Sequence, residues 1–415
     1  MRIAFVNPIG QVGGAELSLL DLLATLPAAL PGVERHLVLL GDGPLRDRAE
    51  ALGVSVHVAP MPEALAGLGD SALRGRGRFG AAIGLAARGL PAAWAARSFA
   101  KGLRTILRDL KPDLIHTNGL KAHLLAHVAR VPGVPVVWHV RDFPGARPVM
   151  AKALRWAARG AAGAIAISEA VARDVQGVAP ALPVAVVYNA IDVDRFAPGP
   201  GDGPRLDALA ELPPAPSGTV RVGLVATYAR WKGQDLFLQA AGRVVAESLD
   251  TPARFYVIGG PIYKTRGSQF SVEELRAMAD GLGLGDRVGF VPFQSDPADA
   301  FRALDVVVHA STQPEPFGRT IVEAMACGRA VVVARAGGAA ELFRDDEDAV
   351  GVPPGDPDAL ASAIGSLLAD PSRRDRLGDA ARQTALARFA RDRLGREVAT
   401  AYERFQGTSH WNVQK

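Results

Sequence analysis

Residues 3–24, IAFVNPIGQVGGAELSLLDLLA, join a short apolar run, a glycine-rich loop and the start of a helical pattern. Strand, glycine loop and helix in this order are typical of the first βα unit of a parallel sheet. Similar runs rich in Val and Ile recur along the chain and alternate with helical patterns. Parallel strands joined by crossover helices produce this alternation, so we predict an α/β fold.

The alternation is interrupted once, at 197–218, where prolines and glycines that extend neither a helix nor an interior strand are concentrated. We therefore predict two Rossmann-like doubly wound domains at 1–196 and 219–385, joined by a linker at 197–218. A C-terminal helix and tail at 386–415 are expected to pack back across the domains. The predicted strands are 3–7, 35–40, 54–59, 113–117, 134–139, 164–167, 184–188, 221–226, 254–259, 287–291, 306–309, 331–334 and 350–352. In open α/β sheets ligands bind beyond the carboxyl ends of the strands, so we expect a cleft lined by strand-end loops of both domains.

The composition and the first residues indicate the compartment in which the protein is expected. The 415 residues are 48% apolar and 22% charged, as in ordinary globular chains, and Cys327 is the single cysteine, which excludes an intrachain disulfide. The first residues lack the pattern of a signal peptide, and the longest uncharged stretch, 175–191, contains two prolines and is short for a membrane span. We predict a cytoplasmic protein, either free or peripheral at the inner face of the membrane.

The net charge of +4 is unevenly distributed, because positions 74–111 hold nine cations and one acid. Within this segment the spacing of apolar and basic residues predicts a basic amphipathic helix. Its basic face consists of Arg97, Lys101, Arg104 and Arg108. Either the apolar stripe covers the sheet and the basic face is simply hydrated, or the face binds an anionic membrane or lipid diphosphate. Interleaved aromatics and a binding motif are missing, so we expect no nucleic-acid partner.

The strongest local motif is EPFGRTIVE at 315–323. Prolines place Glu315 in a loop, and Glu323 lies about one turn into a predicted helix at 320–326. Carboxylates accept hydrogen bonds from vicinal hydroxyls, whereas the backbone N–H groups of 317–320 at a helix N-terminus suit an anion. A ligand that is part polyol and part phosphate would satisfy both. The alternative is that Glu315 is a solvated loop residue and Glu323 an ordinary acid on a helix surface.

Two further loops could bind anions. Arg230 and Lys232, in YARWKG at 228–233, precede a helix predicted to begin near Gln234, so two cations and a helix dipole could neutralise a diphosphate. A solvated basic loop is the alternative. The glycine loop that ends at Glu16 leads into a helix that we expect to begin near residue 17, and it could equally be a plain tight turn.

Several motifs along nearly the whole chain together resemble those of one family. They are GGAE at 13–16, DLIHTN at 113–118, WHVRD at 138–142, ISEAV at 167–171, YNAIDVDRF at 188–196, RWKGQD at 230–235, the glutamates at 315 and 323, and GGAAEL at 337–342. In order and spacing the chain resembles the retaining glycosyltransferases of family 4, also called glycosyl transferases group 1. The resemblance implies the GT-B fold, in which two Rossmann-like domains face each other across a cleft.

The resemblance also implies a catalytic set. Arg230 and Lys232 would neutralise the departing diphosphate, Glu315 would contact hydroxyls of the donor hexose, and His139 would lie beside the reacting sugar. The family usually has an arginine five residues before the lysine, where this chain has Thr227. Either Arg230 replaces that arginine, or the diphosphate is held more weakly.

Binding roles follow from the same resemblance. Glu323 would bind the ribose hydroxyls of the nucleotide, while backbone N–H groups would bind the rest of the donor. The implied donor-binding residues are Gly13, Gly14, Phe317, Gly318, Arg319, Thr320 and Glu323. The implied acceptor site belongs to the first domain and includes Glu16, Asn118 and Arg141.

The resulting hypothesis is transfer of a hexosyl group from a nucleoside-diphosphate sugar to a saccharide or lipid-linked acceptor, in cell-surface polysaccharide or glycolipid biosynthesis. No cofactor is expected, and the nucleotide sugar is a co-substrate. Two alternatives stay open: a nucleotide-sugar epimerase, which can share this architecture, and a non-catalytic binder of sugar nucleotides.

We expect no metal site. The pair Asp192 and Asp194 resembles the metal-binding Asp-x-Asp of another glycosyltransferase fold, but it lies beside the predicted linker. His123 and His127 have a spacing that could bind zinc, but no third ligand lies near in sequence. We expect these two histidines on an exposed helix face.

Overall fold

The computed structural model describes residues 1–62, 95–247, 252–261 and 267–408. The chain forms two compact units, one made of residues 1–190 with the C-terminal segment from Arg391, the other of 191–390. The strands are β1 (Arg2–Asn7), β2 (Glu34–Leu39), β3 (Ser55–Val58), β4 (Leu114–Asn118), β5 (Val136–Val140), β6 (Gly163–Ala166), β7 (Val184–Val186), β8 (Val220–Val225), β9 (Ala253–Ile258), β10 (Val288–Val291), β11 (Val306–His309), β12 (Ala330–Ala334) and β13 (Val350–Val352). Each strand predicted from the sequence is present, with its ends within about two residues of the prediction.

The described α-helices connect these strands. They are α1 (Gly14–Ala29), α2 (Leu45–Glu50), α3 (95–109), α4 (Leu120–Val128), α5 (Pro148–Ala157), α6 (Glu169–Val178), α7 (Gly203–Leu209), α8 (Gln234–Ala246), α9 (Val272–Gly281), α10 (Ala298–Ala303), α11 (Arg319–Ala326), α12 (Pro357–Ala369), α13 (Pro371–Phe389) and α14 (Leu394–Thr408). In the described part of the chain, none of these helices combines the length and the apolar character that crossing a membrane requires.

Both sheets are parallel and doubly wound. The strand order is β3-β2-β1-β4-β5-β6-β7 in the first unit and β10-β9-β8-β11-β12-β13 in the second. The order reverses between β1 and β4, and again between β8 and β11. Loops diverge at such a switch point and leave a crevice at the carboxyl ends of the strands. The predicted α/β class with two Rossmann-like sheets is confirmed.

The core of the first unit includes residues from both ends of the chain. Side chains of β1 and α1, such as Phe5 and Leu22, pack in one buried cluster with Val398, Tyr402 and Phe405 of α14. The predicted C-terminal element at 386–415 begins too early, since α13 runs to Phe389 in the second unit and the chain re-enters the first unit only at Arg391.

The segment predicted as a linker, 197–218, belongs to the second unit and contains α7, so the prediction that it forms no helix is wrong. Proline is compatible with the first turn of a helix, where its missing N–H has no partner to lose. Asp202 caps this turn by accepting a hydrogen bond from Arg205 N at 2.9 Å.

Asp207 fixes α7 to the second sheet. Its buried carboxylate pairs with Arg221 and Arg254, each at 2.9 Å, and accepts a hydrogen bond from Tyr256 Oη. It also accepts from the backbone N–H of Ala215 at 3.1 Å. This network explains why a segment rich in proline and glycine is part of the unit.

Replacing Asp207 by alanine should lower the free energy of unfolding by about 3–5 kcal/mol, because the buried guanidinium of Arg254 and the partly buried one of Arg221 lose their counter-charge. Urea unfolding followed by circular dichroism measures the loss. Asp202→Ala is the matched control, since it removes an exposed carboxylate from the same helix and should cost about 1 kcal/mol. Equal losses for the two variants would contradict the role assigned to Asp207.

The basic segment is described only in part, since residues 74–94 lie outside the described residues. Residues 95–109 form α3, with Leu103 buried and all four predicted cations exposed, which confirms the amphipathic helix over this stretch. Arg104 donates to the carbonyl of Val128 at 2.9 Å, and Arg108 pairs with Asp109 at 3.1 Å.

Candidate active site

The switch point of the second sheet is formed by the loops that follow β8 and β11. After β8, a single 3₁₀ turn at Arg230–Lys232 leads through Gly233 into α8, which begins at Gln234 as predicted. Gly233 has φ = +76°, and a Cβ there would lie 2.0 Å from the carbonyl oxygen of Ala310. Only glycine allows this approach, which brings the loop carrying Lys232 onto the end of β11.

The buried Glu315 and the partly buried Lys232 form an ion pair at this point. Lys232 Nζ lies 2.6 Å from Glu315 Oε2 and 4.2 Å from the centre of the Trp231 ring. The same carboxylate oxygen lies 3.1 Å from Ser311 Oγ and 3.3 Å from His309 Nε2. Glu315 is 8% exposed, so the solvated-loop alternative for it is wrong.

Sequence reasoning missed His309 and Ser311 as partners of Glu315. A signal was present, because both residues lie at the carboxyl end of a predicted strand, where ligands of parallel sheets bind. The two side chains also contact each other, with Ser311 Oγ 3.0 Å from His309 Nε2.

The backbone of Glu315 is fixed by the loop after β12, which carries the GGAAEL motif. Glu315 N donates to the carbonyl of Ala336 at 3.2 Å, and Gly338 N donates to the carbonyl of Glu315 at 2.7 Å. Gly337, between them, has φ = +65°, and a Cβ there would lie 2.5 Å from that carbonyl. The motif therefore positions the carboxylate from outside its own loop.

The Glu315 side chain is held ionised. Burial by itself would raise the pKa of this carboxyl, but the charge of Lys232 and the hydrogen bond with His309 outweigh it and lower the pKa to about 2. An ionised carboxylate only accepts hydrogen bonds, as binding of sugar hydroxyls requires.

We expect the Glu315–Lys232 pair to make stability depend on pH in acid. The usual carboxyl value is 4.5 and the folded value about 2, so ionised Glu315 stabilises the folded state fully above about pH 4.5, and this contribution is lost as the pH falls towards 2. The difference in unfolding free energy between wild type and Glu315→Gln should therefore shrink below about pH 4.5. Urea titrations at about pH 6, 4.5 and 3.5 measure it.

Glu211→Gln, at an exposed position, is the matched acid-to-amide control for these titrations. A Glu315→Gln difference that stays constant down to about pH 3 would contradict an ionised, lysine-paired Glu315.

The second glutamate lies on α11, whose position matches the predicted helix. Gly318 precedes its first turn, and Glu323 Oε1 accepts a hydrogen bond from Arg319 Nε at 2.8 Å. Glu323 is 5% exposed, so the alternative of an ordinary surface acid is wrong for it too. The Phe317 side chain is buried against Phe389, and Thr320 lies in the first turn of α11.

Arg230 differs from Lys232 in its surroundings. Its guanidinium pairs with Glu274 of α9 at 2.6 Å and stacks over the Phe270 ring at 4.3 Å, and its side chain is 42% exposed. The structure thus places Lys232 with Glu315 and Arg230 with Glu274. Replacement of the family's arginine at Thr227 by Arg230 stays a prediction.

The switch point of the first sheet carries a buried polar network. Asn118 Nδ2 donates to Asn7 Oδ1 at 2.6 Å, and Asn118 Oδ1 accepts from Arg141 Nε. Arg141 Nη1 donates to Asn189 Oδ1 at 2.7 Å. Sequence reasoning singled out Asn118 and Arg141 but missed Asn7, at the end of β1, and Asn189, in the YNAIDVDRF motif.

Glu16 joins this network at the start of α1. Its Oε2 accepts a hydrogen bond from Gly13 N at 3.1 Å, and its Oε1 lies 3.5 Å from Asn7 Nδ2. Burial raises the pKa of Glu16, although these hydrogen bonds act in the opposite direction. A Cβ on Gly14 would meet open space, so this part of the loop is accessible. The predicted acceptor residues Glu16, Asn118 and Arg141 are therefore brought together, while their contact with an acceptor stays a prediction.

His139 lies beside Arg141 at the end of β5. Its Nδ1 is 3.3 Å from Arg141 Nη2 and 3.2 Å from His116 Nε2. Burial, and then the charge of Arg141, lower the pKa of both histidines well below the ordinary value, so both rings are neutral.

The exposed helix face predicted for His123 and His127 is wrong for His123, whereas His127 is partly exposed. His123 is fully buried, stacked on Trp138 with ring centres 4.9 Å apart, and 2.7 Å from Thr117 Oγ1. His127 packs edge-on against Trp156 at 4.2 Å. Stacking on Trp138, which spacing along a helix does not reveal, accompanies the burial of His123.

Asp192 Oδ1 accepts from the backbone N–H of Asp194 at 3.2 Å and thereby closes a local turn. Among the residues that the structure describes, no group of three or more potential ligand side chains could hold a metal ion.

Two family models match the chain. Glycosyltransferase Family 4 matches residues 12–195, and Glycosyl transferases group 1 matches residues 213–384. A relative from Catenulispora acidiphila, D-inositol 3-phosphate glycosyltransferase 1, is 32% identical over 66% of this chain and 68% of its own length. The chain belongs to the family 4, group 1 glycosyltransferases.

Other relatives of this family 4 glycosyltransferase match over a shorter range. D-inositol 3-phosphate glycosyltransferase from Xylanimonas cellulosilytica is 36% identical over 52% of this chain and 50% of its own length. The chain spans about half the length of the first relatives it matches.

Solved structures agree with the fold. Anabaena Alr3699/HepE in complex with UDP is 26% identical, with a TM-score of 0.76 over 97% of this chain and 100% of that one. Sucrose-phosphate synthase from Thermosynechococcus elongatus, 20% identical, has a TM-score of 0.74 over 99% of this chain and 100% of its own, which shows the fold alone. The predicted GT-B fold class is confirmed.

Proposed function

We propose that this glycosyltransferase moves a hexosyl group from a nucleoside-diphosphate sugar to a hydroxyl of a saccharide or lipid-linked acceptor, with retention of anomeric configuration. The observation that carries the proposal is the ion pair between partly buried Lys232 and buried Glu315 at the switch point of the second sheet, next to the loop that enters α11. In this proposal the reaction needs no metal or other cofactor, because the protein's own groups supply the positive charge.

The reaction requires stabilisation of two charges that develop as the glycosyl phosphate bond breaks. Cleavage of the glycosyl phosphate bond builds negative charge on the leaving diphosphate, which Lys232 Nζ and the N–H groups at the start of α11 would stabilise. Positive charge develops on the sugar ring, whose hydroxyls Glu315 would hold by accepting hydrogen bonds. The acceptor hydroxyl would attack from the side of the leaving group and pass its proton to the departing phosphate.

The comparisons suggest which substrates to try first. The related Anabaena protein has been crystallised with UDP and with UDP-glucose, so a UDP-hexose is our first candidate donor. Relatives at 32–36% identity are named for D-inositol 3-phosphate, which makes a phosphorylated polyol the first acceptor to test beside membrane extract. Polysaccharide or glycolipid assembly at the cell surface is the process we propose.

Lys232→Ala should reduce donor turnover by roughly 100- to 1000-fold, because a preorganised cation at the leaving group is lost. The measurement is release of nucleoside diphosphate from UDP-, GDP-, dTDP- and ADP-sugars, with and without acceptor. Lys152→Ala, at an exposed position on α5, is the matched control and should retain full activity.

Near-normal turnover by a folded Lys232→Ala variant would overturn the assignment. Product analysis separates the alternatives. An epimerase changes the sugar without an acceptor and releases no nucleoside diphosphate. A non-catalytic binder would bind a donor and convert none.

We further propose that α3 holds the protein at an anionic membrane surface, close to lipid-linked acceptors. Its basic residues are exposed while Leu103 faces the core, and a Lys or Arg near an anionic leaflet contributes about 1 kcal/mol.

Charge reversal of Arg97, Lys101 and Arg104 to glutamate should weaken binding to phosphatidylserine vesicles by at least about 100-fold in a sedimentation assay. The control reverses three scattered exposed arginines, Arg287, Arg376 and Arg396, and so changes the net charge equally. Equal loss of vesicle binding in both triple variants would show that only the net charge of the protein matters. Unchanged binding after reversal on α3 would overturn the proposal.

A further inference from the structure

Three buried side chains, Tyr402 of the C-terminal helix, His116 and His139, follow one another in a hydrogen-bonded series. Tyr402 of α14 places its hydroxyl 2.7 Å from His116 Nδ1, and His116 Nε2 lies 3.2 Å from His139 Nδ1. The rings of Tyr402 and His139 each meet the His116 ring edge-on, with centres 5.8 and 5.1 Å apart. All three groups belong to the first unit.

Arg141 determines which atom donates and which accepts in each of these hydrogen bonds. A guanidinium group can only donate, and Arg141 Nη2 lies 3.3 Å from His139 Nδ1, so Nδ1 must accept. A neutral His139 then carries its proton on Nε2. His116 Nε2, which faces the same acceptor, must donate, which leaves His116 Nδ1 as the acceptor for the Tyr402 O–H.

The protonation states agree with this assignment. Burial, followed by the charge of Arg141, keeps both histidines neutral, and burial raises the pKa of Tyr402 so that its O–H keeps its proton. From the Tyr402 hydroxyl to His139 Nδ1, each nitrogen and oxygen in this hydrogen-bonded series is thus assigned as either a donor or an acceptor, and His139 Nε2 carries the last proton. That atom is buried and has no hydrogen-bond partner among the described residues.

A buried N–H without a partner is unfavourable, and natural structures retain such groups rarely. We propose that Tyr402 and His116 are positioning residues that fix His139 as an Nε2–H donor, reserved for an oxygen of the bound sugar. The part of this inference that names the sugar rests on the proposed function, whereas the proton assignment does not. The opposite tautomer of His116 would set its Nε2 lone pair against the lone pair of His139 Nδ1.

The experiment uses the full chain labelled with ¹⁵N-histidine. Long-range ¹H–¹⁵N correlation at about pH 8, above the usual histidine range, distinguishes the nitrogen that carries the proton from the one that does not. His116→Gln and His139→Gln each remove one of the eight histidine signal sets and so assign them. We expect both rings as single Nε2–H tautomers.

Tyr402→Phe removes one hydroxyl and keeps the ring in the core. The His116 Nδ1 resonance should move towards that of an imidazole nitrogen with no donor, and kcat should fall by about threefold to tenfold, the effect of one hydrogen bond. Tyr256→Phe, which removes a buried hydroxyl bonded to Asp207 in the other unit, is the control and should leave the histidine signals unchanged.

An Nδ1–H tautomer or an imidazolium at His139 in the wild type would overturn the assignment. An unchanged His116 resonance in Tyr402→Phe would also overturn it. Addition of UDP-glucose should shift the His139 Nε2–H signal. If the tautomers are as expected but no donor binds or turns over, the proposed function fails and the proton assignment stands.

Discussion

The ion pair between Lys232 and Glu315 is the interaction around which the strand-end loops of the second unit are arranged. Removing two charges from water costs several kcal/mol for each ion, so a fold keeps such a pair only with close geometry and further hydrogen bonds. The sheet supplies the proximity, because β8 and β11 are neighbours although their residues lie far apart in sequence. Gly233 and Gly337 supply the close approach of the loops, and His309 and Ser311 supply the remaining hydrogen bonds.

The first unit solves a similar problem with amides and neutral rings. At its switch point Asn118 and Asn189 accept hydrogen bonds from the guanidinium of Arg141, and Asn7 in turn accepts one from Asn118, so a single charge is stabilised by amide dipoles. Such a network orients its members strictly, because each amide oxygen accepts and each amide nitrogen donates. At its switch point the second unit thus has a cation, Lys232, paired with a carboxylate. The first unit has groups with fixed hydrogen-bonding roles there.

Much of the fold and of the candidate site could be predicted from the sequence. Runs of Val and Ile predicted the strands of the described residues, and the search at strand ends pointed to Glu315 and Lys232, while Asn118 and His139 came from the family resemblance. The partners His309, Ser311, Asn7 and Asn189 were missed because pairing across a sheet depends on strand order, which the alternation of elements does not specify. The linker error has a related cause, since the proline and glycine content of 197–218 does not reveal the role of Asp207, whose side-chain partners lie 14 to 49 residues away. His123 was misplaced because helical spacing does not tell which face a sheet covers.

The return of α14 to the first unit has a consequence for synthesis on the ribosome. The first unit lacks its last helix until roughly 200 further residues have been translated, a delay of roughly 10–40 s at typical rates. During that interval the apolar side of α1 that α14 will cover is open to solvent, whereas the second unit is contiguous in sequence and can be completed earlier. The nascent first half is therefore the species with the greatest need of a chaperone.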